Sequence, residues 1–306
     1  MSEPPASPPA AQAELMKWPA LLERQRPEPD STIAYGDDQL QKVDLWRPAG
    51  PGPHPTVLMV HGGCWQTEIA DRRIMNWIAD DLRKRGIAVW NIDYRGVDRT
   101  GGGYPGTFAD AAAAADSLRT HAAHLKLDIS PLVAVGHSAG GHLALWLAAR
   151  PAVNRRPASP LIPRGSPLRS ADPLRIDTVV SLGGLPDLEL AATPPGSGCG
   201  TEIIEKLVGP PTLSSRNVFA DTSVPRLAPL GVRQVLVNGL QDRIIPTAYA
   251  GDYAAKMRAS GDKVKVRMID RTGHVELIAP ETAAWAATVE EIERALGRHS
   301  GEGRNP

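Results

Sequence analysis

Cysteine is nearly absent: the 306 residues hold two, Cys64 and Cys199, with no C-x-x-C and no Cys/His cluster at metal-ligand spacing. A zinc site and a disulfide scaffold are therefore not expected, and Cys64 reads as a small buried side chain. Charge of one sign is lacking too, since Lys+Arg and Asp+Glu number 34 each. No net field draws the chain to nucleic acid or to an anionic membrane surface, and the expected partner is a small molecule. No apolar run is long enough to span a bilayer, and the opening MSEPPASPPAAQAELM has no basic start followed by an apolar stretch. The expectation is a soluble, cytoplasmic protein. What remains is bulk: 42% hydrophobic residues over this length suit one catalytic-size domain.

Residues 1–29 read as a tail with a short helix, residues 1–13 and 298–306 as disordered ends, and 30–297 as the domain. Within it, β-branched or apolar runs at 55–61, 86–94, 131–137, 176–184, 233–239 and 264–270 read as buried strands. QKVDLWR (41–47) alternates and predicts an antiparallel edge strand, and helical patterns fall at 68–85, 107–126, 139–150, 247–260 and 280–297. This order predicts an α/β fold with a mostly parallel central sheet of about eight strands and helices on both faces. Two tracts break the alternation, 151–175 and 186–230. They read as insertions, the second as a lid over the strand ends.

Between the strand at 131–137 and the helix at 139–150 stands GHSAG, a G-x-S-x-G pattern in the context that gives it meaning. A strand turning sharply into a helix leaves no room for side chains at Gly136 and Gly140, and it holds Ser138 in a strained turn with its hydroxyl outward. The helix then aims its first amides at charge developing nearby.

A serine hydroxyl needs a base, and the base needs an orienting group. Asp242 lies just past the strand VLVNG and His274 in the loop after the next one, giving the order Ser, Asp, His. Read singly, Asp242 is a cap for the following segment and His274 a loop histidine. The rival acids are Asp270, Asp187 and Asp252, with Asp187 the fallback because it follows the earlier strand end. An oxyanion needs donors as well, and VHGGCW (60–65) follows its strand directly. The amides of Gly63, Cys64 and Ala139 are the expected donors. Trp65, Leu185, Ile244 and Val275 neighbour these motifs and are the pocket candidates. GGGYPG (101–106) fits a dinucleotide fingerprint but lies well past its strand, so it reads as a loop. His142 reads as packing and His121 and His124 as a solvated face.

HGGCW at 61–65, NIDYR at 91–95, GHSAGGHLA at 136–144, GLQDRIIP at 239–246 and GHVELI at 273–278 together resemble the α/β-hydrolases, in particular the H-G-G-x-W branch of arylformamidase-like and feruloyl-esterase-like bacterial enzymes. The resemblance spans roughly residues 30–297. It implies the triad Ser138, Asp242 and His274, an oxyanion hole at Gly63, Cys64 and Ala139, and neither metal nor cofactor. Cys64 stands where such enzymes commonly carry an aromatic residue. The implied activity is hydrolysis of carboxylic esters of small or aromatic acyl groups through an acyl-enzyme. Hydrolysis of the formamide of N-formylkynurenine is the nearest alternative, and a non-catalytic binding module is the alternative of another class.

Overall fold

The computed structural model describes residues 14–155, 166–212 and 217–298. Eight strands form one sheet: β1 (Ser31–Ala34), β2 (Lys42–Trp46), β3 (His54–Val60), β4 (Ala88–Ile92), β5 (Leu127–His137), β6 (Thr178–Leu182), β7 (Arg233–Gly239) and β8 (Val264–Ile269). Their order is β1-β2-β4-β3-β5-β6-β7-β8, antiparallel at β1–β2 and β2–β4 and parallel from there on. The apolar runs of the inner strands are continuous because both faces are covered, whereas β8, expected to be buried, is an edge strand whose residues after Val264 are half-buried or exposed. In β3, Leu58 and Val60 join one buried cluster while Val57 and Met59 join the other. The longer helices are α2 (Asn76–Lys84), α3 (Gly106–Leu125), α4 (Ala139–Arg155), α7 (Ala248–Ala259) and α8 (Ala283–Ala295). Buried residues of α3, α4 and α7 cover the first face and those of α2 and α8 the second. Among the described residues, three short helices accompany them: α1 (Trp18–Leu22), α5 (Leu188–Ala191) and α6 (Thr201–Val208).

The sequence reading placed the sheet and the five longer helices. It missed β1, began β5 four residues late, and began the helix of 68–85 well before α2, across a non-helical turn and the 3-10 turn Arg72–Met75. The expectations for 1–13, for 299–306 and for the middle of each insertion (156–165 and 213–216) lie outside the described residues. Elsewhere the 186–230 tract packs tightly onto the body. Ile203, Ile204 and Leu207 of α6 are buried, and Trp146 Nε1 of α4 donates to the Asp221 carbonyl at 2.7 Å. Among the described residues of that tract, Gly198 alone lines the cavity at Ser138. The cover over the strand ends comes instead from the N-terminal segment. Met16 N donates to Glu276 Oε1 at 2.5 Å, and Arg24 pairs with Glu281.

His142, on α4, packs as expected: it is fully buried, and its Nε2–H donates to the Thr222 carbonyl at 2.9 Å. Burial pushes its imidazolium down to about 4, only partly offset by that hydrogen bond. Between its native value and the ordinary 6.5, the unfolded chain holds a proton that the native chain lacks. Stability from this site is therefore complete above about pH 6.5 and is lost as the pH falls toward 4, by at most about 1.4 kcal/mol per pH unit. Urea midpoints at pH 5 and pH 7 are expected to lie closer together in His142→Gln than in the parent. An equal gap would mean that another group carries the acid sensitivity.

Candidate active site

Strand β5 ends at His137 and helix α4 begins at Ala139, so the whole turn is Ser138, with φ +54° and its N–H donating to the Leu182 carbonyl at 2.8 Å. The left-handed conformation costs a serine about 1–3 kcal/mol, which the surrounding packing supplies. The flanking glycines have the geometric role read from the sequence. A Cβ on Gly136 would stand 2.0 Å from the Gly140 carbonyl oxygen, and one on Gly140 would stand 2.2 Å from that of Val60. No side chain fits at either position.

The loops after β7 and β8 bring Asp242 and His274 together. His274 Nδ1 donates to Asp242 Oδ2 at 2.7 Å, and both side chains are nearly buried. Asp242 Oδ1 accepts the amides of Ile244 and Ile245 at 2.8 and 2.9 Å, so the carboxylate caps its own turn and holds the histidine at once. These fixed donors orient it with no need for a solvent shell. Asp187 is engaged elsewhere: it caps α5 through the Leu190 amide and takes Lys256 Nζ at 2.5 Å. Asp270 accepts from Gln241 Nε2, and Asp252 is exposed on α7.

On the other flank, the loop after β3 turns through positive φ at Gly63, Cys64 and Trp65. Among the described residues, the amides of Gly63, Cys64 and Ala139 donate to no protein acceptor. The loop is braced from behind: Tyr94 Oη donates to the His61 carbonyl at 3.0 Å, and His61 Nε2 lies 2.9 Å from Asp93, which also takes Arg72 at 2.8 Å. From the front it is tied covalently, because Cys64 and Cys199 form a disulfide across 135 residues. This corrects the expectation that Cys64 is a small buried side chain and that no disulfide forms. The pairing was invisible because it joins the loop after β3 to the 186–230 tract, which only the fold brings together. Closing so long a loop typically contributes about 2–4 kcal/mol. The Cys64→Ser/Cys199→Ser variant is expected to melt roughly 5–10 °C lower in a calorimetric scan. An unchanged melting curve would show that the disulfide does not brace the fold.

Ser138 and His274 open into a cavity of about 510 Å³. Trp18, Leu22, Ile69, Ile74 and Ile244 supply its apolar lining, with Arg26, Glu68, Asp71 and Arg73 as its charged side chains. Of the pocket candidates, Ile244 lines it and three do not. Trp65 is fully buried with its ring edge-on to His142 at 5.5 Å, because the positive φ values turn its side chain under the loop. Leu185 and Val275 are buried in the clusters on the two faces of the sheet. His121 is half-buried against Trp90 rather than solvated, while His124 is exposed.

Sequence reasoning missed His137, although it lies inside the motif. Its Nε2–H donates to the His274 carbonyl at 3.1 Å, and the two rings sit 4.5 Å apart. Burial first, and then the neighbouring His274, holds its imidazolium well below the ordinary range, so it stays a neutral prop for the histidine loop. Trp18 stands edge-on to both rings at 6.3 Å. Nothing local in WPALL signals that contact, which depends on long-range docking.

Among the described residues, no group of three or more His, Cys, Asp or Glu side chains is arranged to hold a metal ion, and no helix is long and apolar enough to cross a membrane. The BD-FAE family model matches residues 43–257. The chain is 27% identical over 248 residues to Esterase LipC of Mycobacterium tuberculosis, an alignment that takes in 79% of this chain and 58% of that protein. It thus spans little more than half of its curated relative. Esterase B of Lactobacillus rhamnosis has the same fold, with a TM-score of 0.71 at 18% identity over 89% of this chain and 87% of that one. So has Est2 of the planctomycete Thermogutta terrifontis bound to propionate, at 0.67 and 18% over 92% and 99%. With its α/β-hydrolase fold and a family match over most of its length, the chain belongs to the BD-FAE family.

Proposed function

We propose that the chain is a carboxylic ester hydrolase that works through an acyl-enzyme, with Ser138 as nucleophile, His274 as general base and Asp242 as its orienting acid. The observation that carries this reading is the buried 2.7 Å contact of His274 Nδ1 with Asp242, on the cavity that Ser138 shares. With Nδ1–H committed to the carboxylate, the lone pair of His274 lies on Nε2. That nitrogen takes the Ser138 proton as Oγ adds to the carbonyl carbon, and it returns the proton to the leaving alcohol. The amides of Gly63, Cys64 and Ala139, without acceptors among the described residues, support a role as oxyanion donors, fixed in advance by the braced loop. Water then repeats the sequence on the acyl-enzyme and releases the acid.

The part of the cavity lined by Trp18, Ile69, Ile74 and Ile244 supports a preference for small or aromatic acyl groups. The full complement of nucleophile, base and acid weighs against a binding module that performs no chemistry. The sequence reading placed the chain in the cytoplasm. The Cys64–Cys199 disulfide supports instead an oxidising compartment, where such bonds persist. The test of function is a side-by-side assay of p-nitrophenyl acetate to octanoate, methyl ferulate and N-formyl-L-kynurenine, with Ser138→Ala as control. Turnover of the esters above the formamide is expected. A formamide preference of orders of magnitude in kcat/KM would make the chain an arylformamidase, and no turnover of any substrate would sink the enzyme reading.

A further inference from the structure

Four charged side chains line the cavity, and they are not equivalent. Arg73 is spoken for by Asp71, which takes its Nε at 2.9 Å and Nη2 at 2.6 Å. Glu68 is exposed at the rim, where water screens it. Arg26 is half-buried and has no carboxylate partner among the described residues, and its Nε is buried without an acceptor. Its position is nonetheless fixed. The guanidinium lies over the Trp77 ring at 5.3 Å, Trp77 Nε1 donates to the Gln25 carbonyl at 3.2 Å, and Asn76 Nδ2 donates to the Pro27 carbonyl at 2.9 Å. Side chains of one helix thus clamp the backbone on both sides of Arg26. A guanidinium fixed over Trp77, with no carboxylate partner among the described residues and on the same cavity as the serine, suits a planar anion.

Resting on the ester-hydrolase reading, we infer that the substrate carries a carboxylate and that Arg26 binds it while the ester lies at Ser138. The aromatic and aliphatic lining then takes the body between the two ends. Arg26 acts on specificity and takes no part in the bond-breaking steps.

The test compares charged and neutral partners of matched shape. The pairs are mono(4-nitrophenyl) glutarate against 4-nitrophenyl pentanoate for a carboxylate on the acyl side, and 4-acetoxybenzoate against its methyl ester for one on the alcohol side. In Arg26→Gln, kcat/KM for the charged member of at least one pair is expected to fall on the order of 10- to 100-fold, with both neutral esters within about threefold. Arg26→Lys keeps the charge without the fork and should fall between the two. An equal loss on all four esters, or no loss on any, would overturn the inference. Benzoate binding, followed by tryptophan fluorescence, answers without turnover: Arg26→Gln should weaken it by about tenfold or more, and equal affinity would overturn the inference too. Ser138-dependent hydrolysis of the neutral esters with no carboxylate preference would remove this inference alone. Hydrolysis that survives Ser138→Ala would remove the reading beneath it.

Discussion

Replacing Ser138 with alanine is expected to lower kcat for p-nitrophenyl acetate by about 10⁶, the scale on which serine hydrolases lose activity with the nucleophile. The fold should tolerate the change. Ser138 makes no side-chain hydrogen bond with the rest of the described chain, and its backbone N–H to the Leu182 carbonyl remains available to alanine. Alanine keeps the Cβ and so bears the same left-handed strain as serine. A melting temperature within a few degrees of the parent, beside lost turnover, separates chemistry from folding. A variant that retains a substantial fraction of the parental rate would show that the nucleophile lies elsewhere.

The second large effect is expected at Asp242. Asp242→Asn preserves the shape and can still accept the Ile244 and Ile245 amides, but its amide group no longer compels Nδ1 of His274 to carry the proton. The imidazole then adopts the wrong tautomer for part of the time and loses its counter-charge when it is protonated, so kcat should fall by about 10⁴. Asp187→Asn is the control. Its partners are the Leu190 amide, the Ser223 hydroxyl and Lys256, so activity should stay within a few-fold while stability declines. Rates that fall with Asp187→Asn and hold with Asp242→Asn would reverse the assignment.

The parts of this site that were legible in the sequence are those that local physics dictates. GHSAG announces a strand-to-helix turn because only glycine fits beside it, and the Cβ clashes at Gly136 and Gly140 bear that out. Asp242 and His274 could be placed because each follows an apolar run that forms a strand of the parallel sheet, and parallel strands deliver their ends to one edge. Strand β7 matched to the residue, since its run is bounded by a polar residue and a glycine. Parts set by long-range docking were hidden. The Cys64–Cys199 pair, the edge-on Trp18 and the clamped Arg26 each depend on segments far apart in the chain. Trp65 misled for a different reason: adjacency to a motif does not fix direction, and the successive positive φ values at Gly63, Cys64 and Trp65 send its side chain into the core.

The central claim is that one serine, prepared by the Asp242–His274 pair, is acylated during turnover. Its most direct test is titration with diethyl p-nitrophenyl phosphate, followed by intact-mass measurement and peptide mapping. One diethylphosphoryl group per chain is expected, on the peptide carrying Ser138, with activity falling in proportion to labelling and no adduct in Ser138→Ala. Labelling at another residue, or full activity in the labelled chain, would contradict the account.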